Sequence, residues 1–272
     1  MSRPAAIAGA VAKTARWRVR PAIALLLVVA LAGCATLGMM ESIESLLAQG
    51  KELFQSGKYA DALAKFQAVI ERDPKQWEAY LYTARTYIAQ KSWGPAIDNA
   101  RKALGLAPSQ GDVVPVLAQA LLEGGRDSLT RGQYAEAGAR LKDYLGLRPT
   151  DARAYVDLAR AHLGAGSWAD ALGAIQRGLG QSGDAGTRQD LVNALRDGGR
   201  QALASGDLKG GIGFLEEYVK RDPNQVQALV DLGKAYWQSG QQGEALTTFR
   251  RVLELSPGQT DALRYLLNPP SR

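Results

Sequence analysis

VQALVDLGKAYWQSGQQGEALTTFRRVLELSP, residues 226–257, reads as two short helices joined by a turn. In its first half Leu229, Leu232, Gly233 and Tyr236 recur at the three-and-four spacing that puts apolar and small groups on one helical face. Gly240 ends that helix. In the second half Ala245, Phe249 and Val252 form a matching face, and Pro257 stands just past its end, where no backbone N–H is needed. A hairpin this short cannot bury both faces alone, so the pattern makes sense only when stacked on copies of itself.

Five further copies precede it. The turn residue is Gly57, Lys91, Gly132, Gly166, Gly206 or Gly240, followed two places on by Tyr59, Trp93, Tyr134, Trp168, Leu208 or Gln242. A small residue comes next, at Ala62, Ala96, Ala137, Ala171, Gly211 and Ala245, and four further on stands Phe66, Ala100, Leu141, Ile175, Leu215 or Phe249. Five copies close on Pro74, Pro108, Pro149, Pro223 and Pro257, while the fourth has Gly183 there. Over residues 41–258 this arrangement resembles the tetratricopeptide repeat. The resemblance implies an all-α, right-handed solenoid of six helix hairpins. Residues 259–272 then form a capping helix and tail, with Thr260 to Leu267 repeating first-helix spacing through Leu263, Leu266 and Leu267.

The intervals from turn to turn are 34, 41, 34, 40 and 34 residues. The extra residues fall before the first helices of the third and fifth copies, in SQGDVVPV and SGDAGTRQ, and amount to about two helical turns or roughly 10 Å of added length. Asp112 reads as an N-cap there, with Pro115 tolerated in the first turn. The chain thus reads as three double repeats beginning near residues 38, 113 and 188, the pattern left by duplication of a two-repeat unit.

The beginning of the sequence bears on location. Arg3, Lys13, Arg16, Arg18 and Arg20 stand without any acid, and Ala22 to Ala32 is an apolar run too short to span a bilayer. It leads into Leu31-Ala32-Gly33-Cys34, which resembles the lipobox of bacterial lipoproteins. That resemblance implies a signal peptide over residues 1–33, a covalent lipid on Cys34, and a short tether over 34–40. Ala35 follows the cysteine in place of an inner-membrane-retaining aspartate, so it further implies an outer-membrane anchor facing the periplasm. Six extended residues reach about 20 Å, which keeps the first repeat near the membrane surface. Five of the 33 basic residues precede Cys34, leaving 28 against 27 acids, so the pI near 9.4 belongs to the leader and is no nucleic-acid signature. Cys34 is the only cysteine, and stability has to come from packing between repeats.

No catalytic motif occurs, so no enzyme, metal site or cofactor beyond the Cys34 lipid is expected. His162, the only histidine, stands where Tyr87 and Tyr236 stand in other copies, and packing explains it better than ligation. Gly210, Gly211 and Gly213 make Leu208 to Lys220 the weakest helix and a candidate point of local flexibility.

Directly after the small residue of each first helix come Lys51, Arg85, Arg126, Arg160, Arg200 and Lys234, all basic. In the tetratricopeptide family this position looks into the concave groove, which implies a ladder of positive charge. Three residues later stand Phe54, Ile88, Leu129, Leu163, Leu203 and Trp237, and four residues before the ladder stand Leu47, Leu81, Leu122, Val156, Arg196 and Val230. One reading is core plus solvated charge. The other is a groove for a protein partner carrying an acidic and apolar segment, with no nucleic acid or small-molecule substrate. The design is similar to that of pilotins, lipoproteins that assemble type IV pilus secretins. Alternatives are a structural lipoprotein of another envelope machine, for surface motility or β-barrel assembly, and an adaptor recruiting peptidoglycan enzymes.

Overall fold

The computed structural model describes residues 41–270; the leader, Cys34 and the tether lie outside them. The described residues form thirteen helices and no strand. Six hairpins pair α1 (Ile43–Gln55) with α2 (Tyr59–Arg72), α3 (Trp77–Ala89) with α4 (Trp93–Leu106), and α5 (Val113–Thr130) with α6 (Tyr134–Leu147). The series continues with α7 (Ala152–Gly164) and α8 (Trp168–Gln181), α9 (Ala185–Ala204) and α10 (Leu208–Arg221), and α11 (Val226–Gln238) and α12 (Gln242–Leu255). A final helix, α13 (Thr260–Leu267), covers the last hairpin. No described helix is long and apolar enough to cross a membrane.

Each hairpin turns the same way because each turn residue adopts a left-handed conformation. Gly57, Gly132, Gly166, Gly206 and Gly240 have φ between 70° and 87°, and Lys91 has φ 56°. The first of these turns shows the closing bonds. The Gly57 N–H donates to the Phe54 carbonyl at 3.0 Å and the Lys58 N–H reaches back to Leu53 at 2.9 Å, satisfying carbonyls that the end of α1 leaves open.

The small residues fix how closely the two helices approach. Ala62, Ala96, Ala137, Ala171 and Ala245 are fully buried, and a Cβ on Gly211 would come within 2.4 Å of Leu203. On the facing helix, a Cβ on Gly50 would meet the Phe66 ring at 2.5 Å, and one on Gly233 would meet the Phe249 ring at 2.8 Å. Gly125 and Gly199 stand in the same relation to Leu141 and Leu215. Where the second helix carries the small Ala100, the first carries Ala84. Neighbouring first helices touch along the whole array, whereas among second helices only α8 and α10 come comparably close. The first helices therefore line the crowded, concave side.

Helices α5 and α9 are 18 and 20 residues long against 13 for the other first helices, so the extra residues of the third and fifth copies extend helices and do not form separate loops. The core nevertheless ignores the suggested double repeats: one apolar cluster runs unbroken from Leu81 to Ala228, with smaller ones at each end. Asp112 corrects another expectation. It occupies the N-cap position of α5, but its backbone is already helical and its carboxylate caps no N–H; it lies 3.6 Å from Arg85 of the preceding hairpin. The equivalent lead-in to α9 is capped by Asp184, which accepts the Thr187 N–H at 2.7 Å; that bond holds its carboxyl below the usual range.

Helix α10 is continuous despite its three glycines. Gly210 has a structural reason, because its N–H donates to the Asp207 carboxylate at 2.9 Å and a Cβ there would meet Asp207 and, at 3.1 Å, Trp168. In α13, Ala262 is buried and Tyr265 stacks on Phe249 at 4.6 Å, with Leu266 packed against the same cluster. Leu267 does not join them and is 73% exposed.

Candidate functional site

The six ladder residues all stand on first helices, and each is engaged by an acid. Lys51 pairs with Glu78 at 2.5 Å, Arg85 with Asp112 at 3.6 Å, Arg126 with Asp157 at 2.8 Å, Arg200 with Asp231 at 3.5 Å and Lys234 with Asp261 at 2.7 Å. In all five, the acid belongs to the next first helix, to the residue just ahead of it (Asp112) or to the capping helix. The Lys234 ammonium holds the Asp261 carboxyl below its ordinary range. The ladder is therefore a set of clasps between hairpins and not a stripe of uncompensated positive charge. The acids recur 27 or 31 residues after their bases, a regularity present in the sequence but passed over when only one position per repeat is compared.

The junction between the fourth and fifth hairpins breaks the rule. There Arg153 and Asp190 make the clasp, while Arg160 turns back to Asp157 of its own helix at 3.7 Å. Asp157 is only 8% exposed and lies between the two guanidinium groups of Arg126 and Arg160. Its charge is tolerated at that depth because Arg126 neutralises it at hydrogen-bond distance.

Around this break the concave wall opens into a depression of about 780 Å³, built from α5, α7 and α9 and the start of α6. Leu129, Leu163 and the 38% exposed Tyr134 supply its apolar surface; the Tyr134 ring lies against Gly164, where a Cβ would come within 2.4 Å of it. Arg126 and Arg160 enter from α5 and α7, and Asp190 and Asp197 from α9. Two smaller depressions, of about 530 and 540 Å³, continue the groove. One is lined by Phe54, Arg85 and Ile88, the other by Arg200, Leu203 and Lys234. Lys51 and Trp237 lie outside all three, and Trp237 packs edge-on to Tyr265.

The apolar residues after the ladder are all half-buried, and all but Trp237 line the depressions. Those before it behave differently: Leu47, Leu81, Val156 and Val230 are buried in the core, Leu122 is half-buried and packed against it, and Arg196 is polar, so apolar groups flank the charges mainly on one side. His162 is half-buried on α7 near Gly138, and burial lowers its pKa so that the neutral ring is favoured. Among the described residues no group of His, Cys, Asp and Glu is placed to hold a metal.

Comparison with known proteins places this architecture. Tetratricopeptide-repeat profiles match residues 47–111, 128–195 and 202–268. Human DnaJ homolog subfamily C member 3 is 22% identical over 228 residues, covering 84% of this chain and 39% of its own length. Its chicken counterpart is 24% identical over 230 residues, covering 81% and 44%. The chain thus spans about two fifths of these curated relatives. Among solved structures, Naa15/Naa10 bound to HypK-THB aligns over 84% of this chain and 34% of that one, with TM-score 0.48 and 19% identity. PilW, described as a widely conserved type IV pilus biogenesis factor, aligns over 82% and 98%, with TM-score 0.36 and 19% identity. At these values the likeness concerns the repeat fold alone. The family profiles cover most of the six hairpins, and the chain belongs to the tetratricopeptide-repeat family, a protein-interaction module without catalytic machinery.

Proposed function

We propose that this chain is a lipid-anchored scaffold of the outer membrane whose concave groove holds a protein partner, in the manner of a pilotin that promotes secretin assembly. The observation that carries the groove is the depression walled by α5, α7 and α9. It combines half-buried leucines, an exposed tyrosine ring and charged groups on rigid helices, the mixture that recognises a peptide segment. The anchor is supported by the sequence Leu31-Ala32-Gly33-Cys34 after a basic and apolar leader. The pilotin reading rests on the combination of short tether and six hairpins.

Two measurements test the proposal. Cys34→Ser should leave the protein uncut or release it from the outer-membrane fraction, and unchanged fractionation overturns the anchor. In the native host, deletion should abolish secretin multimers in detergent-solubilised envelopes, and normal multimers overturn the pilotin assignment. The Arg160→Glu variant should fail to restore them, whereas reversal of Lys142, exposed on α6, should restore them fully. Arg160 is the more suitable groove site because its side chain is 55% exposed and stands 3.7 Å from Asp157, against 2.8 Å for Arg126; Arg160→Gln, which adds no carboxylate beside Asp157, should fail in the same way. Reversing Arg126 would instead press a second carboxylate on buried Asp157 and destabilise the fold.

A further inference from the structure

The charged groups of the central depression fall into two kinds. Arg126, Asp157 and Asp190 are tied across a junction between hairpins. Arg160 and Asp197 are not: Arg160 contacts Asp157 within α7, and Asp197 is engaged by its chain neighbour Arg196 at 2.9 Å. Both side chains remain about half exposed, at 55% and 49%. A junction clasp has to be broken before a ligand can use its charges, and breaking it also loosens one hairpin from its neighbour. Arg160 and Asp197 can engage a ligand without releasing any hairpin from its neighbour. They carry opposite signs, and they stand on adjacent first helices beside the same apolar surface.

We infer that the groove reads a bipolar segment: an extended stretch of a partner protein with an acidic residue set against Arg160, a basic residue set against Asp197, and an apolar side chain between them lying on Leu163 and the Tyr134 ring. This rests on the groove reading above and replaces a simply acidic partner with one of both signs. Charge complementarity decides it. A purely acidic segment would meet Asp190 and Asp197 on the α9 side, and a purely basic one would meet Arg126 and Arg160 on the other. General dimensions of helices and extended chains set an approximate spacing. Packed helix axes lie about 8–10 Å apart and an extended chain advances about 3.3 Å per residue, so acid and base stand about three residues apart. Reversed order across α7 and α9 is rejected by like charge at both ends, which makes the depression directional.

The test uses the lipid-free mature chain and random peptides displayed on phage, followed by fluorescence anisotropy with the enriched peptides. Enriched sequences should carry one acid and one base at that spacing around an apolar residue. Arg160→Glu and Asp197→Lys should each weaken binding by about ten- to a hundredfold, the loss of one charge-assisted contact. The double variant R160E/D197K should regain affinity for a peptide with its acid and base exchanged. Circular dichroism melts of each variant establish that the helices remain. Two results overturn the bipolar inference and leave the groove standing: peptides lost on Arg160→Glu and Tyr134→Ala but indifferent to Asp197→Lys, or a double variant that is folded and still rejects the exchanged peptide. Enriched peptides indifferent to all of these substitutions place binding elsewhere and overturn the groove reading itself, as does the absence of any enriched peptide.

Discussion

Lys91 is the one turn residue of the six that is not glycine, and it holds φ 56°. A side chain in the left-handed region costs about 1–2 kcal/mol, part of which is returned because glycine loses more freedom on folding. Lys91→Gly should therefore raise stability by about 0.5–1 kcal/mol, seen as a higher midpoint in urea with an unchanged slope. A lower midpoint would mean that the lysine side chain makes a compensating contact. The turn positions, the small residues and the basic ladder were all legible in the sequence, because each depends on a residue type at a fixed place within one repeat. The acids that clasp the ladder were not. Asp157 and Asp231 stand three residues before the next base and Glu78 seven before, while Asp112 stands just ahead of the lengthened α5, so no single register gathers them. The sequence places Asp112 correctly as the N-cap residue of α5 but cannot show that its backbone is already helical, which leaves its carboxylate bonded to no N–H and 3.6 Å from Arg85.

Among the elements, the hairpin interface has the least room. Gly233 faces the buried Phe249 ring, itself stacked on Tyr265 of the cap, so an added methyl cannot be relieved by moving the ring outward. Overpacking of this kind costs about 1–3 kcal/mol, more than the roughly 1 kcal/mol that alanine contributes to helix propensity. Gly233→Ala should lower the thermal midpoint, whereas Gly243→Ala in α12, with nothing near its Cβ, should raise it. The two substitutions are identical in the chain and differ only in surroundings. Equal midpoints would show that propensity outweighs packing here. Helix lengths were legible from the spacing between turns. The course of the core was not, because a solenoid merges neighbouring hairpins into one apolar body regardless of how the gene grew.

Across the whole molecule, the clasps lie on the concave side and join every pair of neighbouring hairpins. Exposed ion pairs are individually worth about 0.2–1 kcal/mol and weaken as the screening length falls from about 8 Å at physiological salt to about 3 Å at 1 M. High salt should therefore relax the curvature while the apolar interfaces hold. Small-angle scattering should show a larger radius of gyration with unchanged helical content; a profile independent of salt would mean that packing alone sets the curve. The first hairpin adds a mechanical consequence. Glu41, just ahead of α1, is held by Lys65 at 3.2 Å, by Gln49, and through its carbonyl by Arg72, so the incoming chain is fastened to α2 as well as α1. Traction applied from the N-terminal side meets that fastening before it meets α1. While Glu41 holds, the load is shared between both helices as shear, and the array resists being unzipped one turn at a time.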